Sequence, residues 1–309
     1  MKYLFLLLLI CTNTFANEPS QRSSTEVDGI PIYYYLTLPS KKTFPLVVLV
    51  QGSTCESGLQ VFDKLHAEKY IDKVATLIVE KPGIEKDTKE CPQSYLKHNS
   101  IDFRVKSYLK VIDVLKSKIN GWNREALWIG GSEGGVVASL AAAQTSETKA
   151  LSILVTGGGM SMAENILLLT EKQMKQAKAP QVAIDAQLAK TKEKFDEIRK
   201  NPTWEKEWMS DNKLARNTYK WWSSILDIRL SEALLYLGKP IYMVHGDSDT
   251  STSVESADQL AELFKNRKKT NLVYKKYVGI GHDFKNSQGQ LQQEIVDLAM
   301  EWLITTNFK

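Results

Sequence analysis

The 309-residue sequence has few residues that bind metals or form disulfides, with only three cysteines and four histidines. No histidine and cysteine group shows the spacing of a zinc site, so we expect neither a metal nor another cofactor. The formal net charge is only +4, and charges of both signs are interspersed, which argues against nucleic-acid binding. A hydrophobic content of 43% and a charged content of 25% are typical of a globular protein.

The longest apolar run is also too short to span a membrane, which needs roughly 20 residues. It covers residues 3–11, follows Met1-Lys2, and precedes Thr14-Phe15-Ala16. This order is typical of a secretory signal peptide over residues 1–16. We expect cleavage near Ala16, a mature chain from about Asn17, a periplasmic or secreted location and no stable membrane insertion.

Removal of the signal peptide takes Cys11 away and leaves Cys55 and Cys91. Disulfides persist in the oxidising compartments that secreted proteins enter. A disulfide between these two cysteines is therefore predicted, and two separate buried thiols are the alternative.

Short apolar runs along the chain predict strands buried on both faces of a sheet. They cover residues 45–50, 75–79, 126–129, 150–155 and 240–244, and most end near a glycine. Before them, residues 30–38 predict an edge strand that follows a polar leader. Segments with helical spacing, such as residues 105–119, alternate with the strands. This alternation predicts an α/β fold with a mostly parallel central sheet and helices on both faces.

Residues 160–236 interrupt the alternation, because they contain no buried-strand run and show helical spacing instead. We interpret them as a helical cap inserted into a core formed by residues 17–159 and 237–309. The insertion contains Trp204, Trp208, Trp221 and Trp222, which we expect to serve packing rather than ligand binding.

The clearest chemical motif is Gly130-Gly131-Ser132-Glu133-Gly134-Gly135, which lies between a predicted buried strand and a small apolar helix. It fits the G-x-S-x-G nucleophile elbow, in which a serine occupies a strained turn that only small flanking residues permit. Ser132 is the candidate nucleophile. The N–H of the residue after it, Glu133, is one candidate donor to an oxyanion.

A serine hydroxyl needs a base and an acid that orients the base. Of the four histidines, His66 lies in a helical pattern, His98 in a polar loop, and His245 at the end of a strand. His282 lies in a loop after the last predicted strand and is therefore the candidate base. Two residues, Asp247 and Asp249, compete for the role of the acid.

The segment Gly246-Asp247-Ser248-Asp249 resembles the G-x-x-D segment of the α/β-hydrolase superfamily. From Val47 to Leu303, the chain resembles the esterase and prolyl-oligopeptidase-like branches of that superfamily. The resemblance implies an α/β-hydrolase fold with Asp249 as the acid, Asp247 as a turn residue and His245 as a structural residue.

The turn Gln51-Gly52-Ser53 also resembles a His-Gly-x turn of that superfamily, which supplies the second oxyanion donor. Gln51 stands where the family has histidine. The resemblance therefore implies that the backbone N–H of Ser53 is the second donor, beside that of Glu133.

Together these residues predict a serine hydrolase that cleaves a small ester through an acyl-enzyme on Ser132. A peptidase acting on short peptides and a thioesterase are alternatives on the same fold. The segment Asp249-Thr250-Ser251-Thr252-Ser253 lacks the valine and proline of a D-x-x-V-P segment, which weakens a dipeptidyl-peptidase-like assignment. A non-catalytic binding protein is a further alternative. A nucleotide-binding protein is not, because the glycines fit no phosphate-binding motif.

Overall fold

A computed structural model describes residues 21–62 and 72–305, which form an eight-stranded sheet with helices on both faces. The spatial order of the strands is β1-β2-β4-β3-β5-β6-β7-β8. Strands β1, β2 and β4 pair antiparallel, and all other neighbours pair parallel. The strands are β1 (Gln21–Val27), β2 (Ile30–Thr37), β3 (Phe44–Val50), β4 (Ala75–Val79), β5 (Trp122–Gly131), β6 (Thr148–Leu154), β7 (Ile241–Gly246) and β8 (Leu272–Tyr277).

The helices of the described residues connect these strands and cover the sheet. They are α1 (Gly58–Phe62), α2 (Gln93–His98), α3 (Ile101–Lys118), α4 (Glu133–Ala142), α5 (Met162–Gln176), α6 (Gln181–Lys200), α7 (Tyr219–Ile225), α8 (Leu230–Leu237), α9 (Val254–Asn266) and α10 (Gln293–Thr305). The predicted mostly parallel sheet with helices on both faces is confirmed.

Two apolar clusters hold the sheet between its helical layers. Every residue of β3 is buried, and successive side chains of a strand point to opposite faces. Val48 packs in a cluster with residues of α3 and α4. Val47 and Leu49 pack in a second cluster with residues of α10. This double burial explains why the central strands read as continuous apolar runs.

Two interpretations of the sequence are wrong. The polar leader contains β1, which pairs with β2 along its length. Most of β1 is exposed, so this edge strand has no apolar pattern to reveal it. His98 ends α2 and does not lie in a loop, because that helix has only six residues and too few for a clear period.

Residues 155–240, all of them described, contain helices α5 to α8 and no strand of the sheet. Their aromatic side chains pack mostly on each other. The ring of Trp222 lies 4.9 Å from that of Trp208 and 4.6 Å from that of Trp221, and Phe195 packs edge-on against Trp208. Trp204 packs against the cluster that contains the cysteines.

The predicted signal peptide and His66 lie outside the described residues. Within the described ranges, none of the helices combines the length and the apolar character that crossing a membrane requires.

Candidate active site

Ser132 lies at the turn between β5 and α4 with a backbone φ of 54° and ψ of −127°. A positive φ is strained for a serine, and close backbone packing maintains it here. A methyl group on Gly130 would overlap the carbonyl oxygen of Gly134, and one on Gly134 would overlap that of Val50. The two glycines therefore permit the sharp turn, as the motif predicts, and Ser132 is left partly exposed at the end of the strand.

Asp249 and His282 form a hydrogen-bonded pair at the same edge of the sheet. Asp249 follows β7 and His282 follows β8. The Nδ1 atom of His282 lies 2.8 Å from Oδ2 of Asp249. An ionised carboxylate can only accept, so Nδ1 carries the hydrogen and Nε2 is left with a free lone pair. A neutral imidazole in this tautomer can act as a base through Nε2.

The environment of Asp249 favours its ionised form. Burial alone would raise the pKa of this carboxyl group, but hydrogen bonds from His245, His282 and the backbone hold it well below its usual range. The N–H groups of Ser251 and Thr252 donate to Oδ1 at 2.8 and 2.9 Å. Asp249 is therefore fixed in position and charged at neutral pH.

The neighbouring residues His245 and Asp247 hold this acid and its loop. His245 is fully buried, and its Nε2–H is shared between the carbonyl of Thr252 at 2.8 Å and Oδ2 of Asp249 at 3.4 Å. The carboxylate of Asp247 accepts a hydrogen bond of 2.7 Å from the N–H of Gly279. Asp247 therefore braces the loop that carries His282, in addition to its place in the turn after β7.

The structure brings Asp249 and His282 into contact, but it does not join His282 to Ser132. None of the hydrogen bonds within residues 21–62 and 72–305 uses the hydroxyl of Ser132. Ser132 follows β5 and His282 follows β8, so both residues lie at the carboxyl edge of the parallel part of the sheet. Catalytic hydrogen bonds are often long without substrate and close in the complex.

The two backbone N–H groups predicted as oxyanion donors have no hydrogen-bond acceptor among the described residues. One belongs to Glu133, the first residue of α4, where a helix leaves its N–H groups unpaired. The other belongs to Ser53, in residues 51–54 after β3, which we call the oxyanion loop. The two predicted donors are therefore free to bind an external oxygen.

The disulfide predicted between Cys55 and Cys91 is present and adjoins the oxyanion loop. The N–H of Cys55 donates to the carbonyl of Leu214 at 2.9 Å, and that of Cys91 donates to Lys213 at 2.8 Å. The two bonded cysteines thus hold the end of the oxyanion loop against the long segment between β6 and β7.

Replacement of both Cys55 and Cys91 by alanine should lower the free energy of unfolding by about 4 kcal/mol, from the loop-entropy relation for a separation of 36 residues. Urea denaturation of the oxidised wild type and the double variant measures the difference. The wild type with its disulfide reduced should match the variant. Equal stability of all three proteins would show that the bond adds nothing.

A buried ion pair beneath the elbow was not predicted. Arg104 of α3 binds the carboxylate of Glu133, and its second nitrogen donates to the carbonyl of Gln51 at 2.7 Å. Nε1 of Trp221 in α7 donates to the same carboxylate at 2.9 Å. The network joins the elbow, the oxyanion loop and α7. One signal was available in the sequence, because Arg104 lies three residues after Ile101, on the buried stripe of α3.

A cavity of about 500 Å³ adjoins the elbow and the His282 loop. Gly131 and Asp283, the chain neighbours of Ser132 and His282, both line it. Most of its other lining residues are apolar. These are Val50, Val61, Phe62, Ile129, Leu154, Phe284, Leu291 and Val296.

The fold has clear counterparts among solved structures. The alpha/beta hydrolase GrgF from Penicillium sp. sh18 superposes with a TM-score of 0.61 at 15% identity, over 92% of this chain and 98% of its own. The protein has the α/β-hydrolase fold. Est1E from Butyrivibrio proteoclasticus, of which another structure contains ferulic acid, gives a TM-score of 0.61 at 18% identity, over 94% of this chain and all of its own.

A third structure with the α/β-hydrolase fold is the meta-cleavage product hydrolase from Pseudomonas fluorescens IP01. It matches with a TM-score of 0.55 at 15% identity, over 92% of this chain and 98% of its own. No protein-family model and no curated protein matches the sequence.

Proposed function

We propose that the protein is a serine hydrolase that cleaves a small carboxylic ester, with Ser132, His282 and Asp249 as its catalytic triad. The observation that carries the proposal is the Asp249–His282 hydrogen bond, at the sheet edge where Ser132 occupies a strained elbow. The α/β-hydrolase fold agrees with this function but does not select it, because one fold serves many activities.

In the first half of the reaction, Ser132 Oγ attacks the carbonyl carbon of the ester while Nε2 of His282 takes its proton. The carbonyl oxygen becomes an oxyanion, which the N–H groups of Ser53 and Glu133 bind. Asp249 stabilises the protonated imidazole. The C–O bond to the alcohol then breaks, and His282 gives its proton to the departing oxygen.

In the second half, water attacks the acyl group on Ser132. His282 takes a proton from the water, and a second oxyanion forms in the same place. The bond between Ser132 Oγ and the acyl carbon breaks, Oγ recovers its proton from His282, and the acid is released. The protein's own side chains and backbone thus supply every group that the reaction needs, with no cofactor.

The partner in this reaction is a small ester with an apolar group. The cavity of about 500 Å³ beside the elbow is lined mostly by apolar side chains, so it suits a hydrocarbon or aromatic portion of the substrate. A short peptide or a thioester carries the same electrophilic carbonyl, and both remain alternative substrates.

The first experiment is labelling of the purified mature protein with a fluorophosphonate probe, which reacts with activated serines. Labelling that requires Ser132 supports the proposal. A panel of p-nitrophenyl esters, acyl thioesters and aminoacyl amides then separates esterase, thioesterase and peptidase activity. A folded wild type that stays unlabelled would contradict catalysis and favour a non-catalytic binding protein.

Leu291→Trp should reduce kcat/KM for a p-nitrophenyl ester with a long acyl chain by about tenfold relative to the acetate. Leu291 lines the cavity and is 54% exposed, so a larger side chain there narrows the cavity without disturbing the core. Leu298→Trp is the matched control, because Leu298 is similarly exposed and does not line the cavity. If kcat/KM depends on acyl-chain length in the same way in both variants, the cavity is not part of the substrate site.

We also propose that the protein acts in the periplasm or outside the cell. The Cys55–Cys91 disulfide supports this location, because the cytosol keeps most thiols reduced. Expression of the full sequence in a bacterium, followed by N-terminal sequencing of the exported protein, should give a mature chain that begins near Asn17. An uncleaved protein retained in the cytosol would contradict the proposed location.

A further inference from the structure

Buried side chains bind every backbone carbonyl of the oxyanion loop. Gln51 accepts from Arg104 at 2.7 Å, Ser53 from the Tyr95 hydroxyl at 2.7 Å, Thr54 from Nζ of Lys81 at 2.5 Å, and Gly52 from the same Nζ. Lys81 follows β4 and is 3% exposed. Of these three side chains, Lys81 is the one that binds two carbonyls of the loop.

The Gly52 carbonyl and the Ser53 N–H belong to one peptide unit. A peptide unit is planar and trans, and no cis bond occurs between residues of the described ranges. The C=O and N–H of such a unit point in opposite directions. A group that fixes the Gly52 carbonyl therefore also fixes the direction of the Ser53 N–H, on the opposite side of the chain.

We propose that Lys81 is a positioning residue that aims the Ser53 N–H at the oxyanion by binding the Gly52 carbonyl. The inference rests on the proposed function, because it gives Lys81 a role only if the oxyanion loop binds an oxyanion. Lys81 itself touches neither the substrate nor Ser132. Its effect passes through one peptide unit.

A packing role alone does not explain a lysine in this position. Among the described residues, no carboxylate lies within ion-pairing distance of Lys81. Burying an unpaired ammonium group is costly, and an apolar side chain of similar length would fill the same space at lower cost. In exchange, Lys81 has hydrogen bonds to two carbonyls of the oxyanion loop and a cation–π contact with the Tyr95 ring, whose centroid lies 5.7 Å from Nζ.

The positioning does not require a full charge on Lys81. Burial, and then the nearby Arg104 guanidinium, lower the pKa of Lys81 to about 7, although Glu133, Glu80 and Glu56 oppose the shift. The neutral amine still has two hydrogens for its two carbonyls. The oxyanion loop therefore keeps its geometry on both sides of neutral pH.

Tyr95 provides a comparison within the same loop. Its hydroxyl binds the carbonyl of Ser53, and that carbonyl shares a peptide unit with the N–H of Thr54. Loss of this bond frees a different N–H from the one assigned to the oxyanion. Lys86 provides the matched control, because it is a lysine of the same segment with an exposed side chain.

The test compares Lys81→Met, Tyr95→Phe and Lys86→Met in the full mature protein. Three quantities are measured for each variant: kcat and KM for a p-nitrophenyl ester, and the inhibition constant of a trifluoromethyl ketone, which forms an oxyanion on the serine. Lys81→Met should lower kcat by about 10- to 100-fold with little change in KM. The ketone should bind more weakly by a similar factor.

Tyr95→Phe should lose less kcat than Lys81→Met, and Lys86→Met should match the wild type. A Lys81→Met variant that keeps the kcat and the ketone affinity of the wild type, or that raises only KM, overturns the inference. If that variant does not fold, Lys81→Gln carries the same test, because glutamine keeps a polar side chain but is too short to replace both bonds.

Fluorophosphonate labelling separates this inference from the proposed function. A wild type and a Lys86→Met variant that both fail to label remove the proposed function, and the inference with it. Proteins that label at Ser132, with Lys81→Met as active as the wild type, remove the inference alone.

Discussion

Ser132→Ala is expected to lower kcat for ester hydrolysis by about 10⁴- to 10⁶-fold, because the proposed acyl intermediate forms on the hydroxyl of Ser132. KM should change far less, since the cavity and the oxyanion loop are intact. The measurement is steady-state hydrolysis of a p-nitrophenyl ester, together with loss of fluorophosphonate labelling. Ser146→Ala is the control, because Ser146 is an exposed serine in the turn after α4 and should leave both readouts unchanged.

The strained backbone at Ser132 adds a second readout. The residue has a φ of 54°, a conformation that costs a non-glycine residue about 1–3 kcal/mol. Ser132→Gly should therefore be inactive yet more stable than the wild type in urea denaturation. An active Ser132→Gly or Ser132→Ala variant would place the nucleophile elsewhere.

Arg104→Met is expected to lower the free energy of unfolding by about 3–5 kcal/mol. Both charged side chains of the Arg104–Glu133 pair are 2% exposed, and the substitution leaves the carboxylate of Glu133 buried without its cation. The N–H of Trp221 would be its remaining hydrogen-bond donor among the described residues. Urea or thermal denaturation measures the loss.

Lys106→Met is the matched control for this prediction. Lys106 is also on α3, but its ion pair with Asp28 is 60% exposed on both sides, and such surface pairs contribute about 0–1 kcal/mol. Adding Glu133→Gln to Arg104→Met should restore part of the stability, because it removes the uncompensated charge. Similar losses of unfolding free energy in Arg104→Met and Lys106→Met would show that the buried pair stabilises the fold no more than the exposed pair.

The central strands and their succession along the chain were predictable because the sequence signals of these strands are local. The seven residues of β3 are all buried, so the strand appears as an unbroken apolar run without reference to its neighbours. β1 was missed for the opposite reason. It lies at the edge of the sheet and is mostly exposed, so only its pairing with β2 defines it as a strand.

The candidate site was partly predictable on the same grounds. Ser132 was found from a five-residue motif between a strand and a helix, His282 by elimination among four histidines, and Asp249 from a family resemblance. Arg104 and Lys81 carry no such motif. Their partners are distant along the chain, since Lys81 and Gly52 are 29 residues apart, as are Arg104 and Glu133.

Sequence alone was therefore enough for the central strands, the main helices between them, the strained serine turn and the candidates for base and acid. These depend on periodicity and on short motifs, which neighbouring residues encode together. Only the folded arrangement shows which of the two aspartates contacts His282, and which buried charges hold the oxyanion loop. A contact between residues far apart in the chain leaves no local pattern, because only folding brings its two sides together.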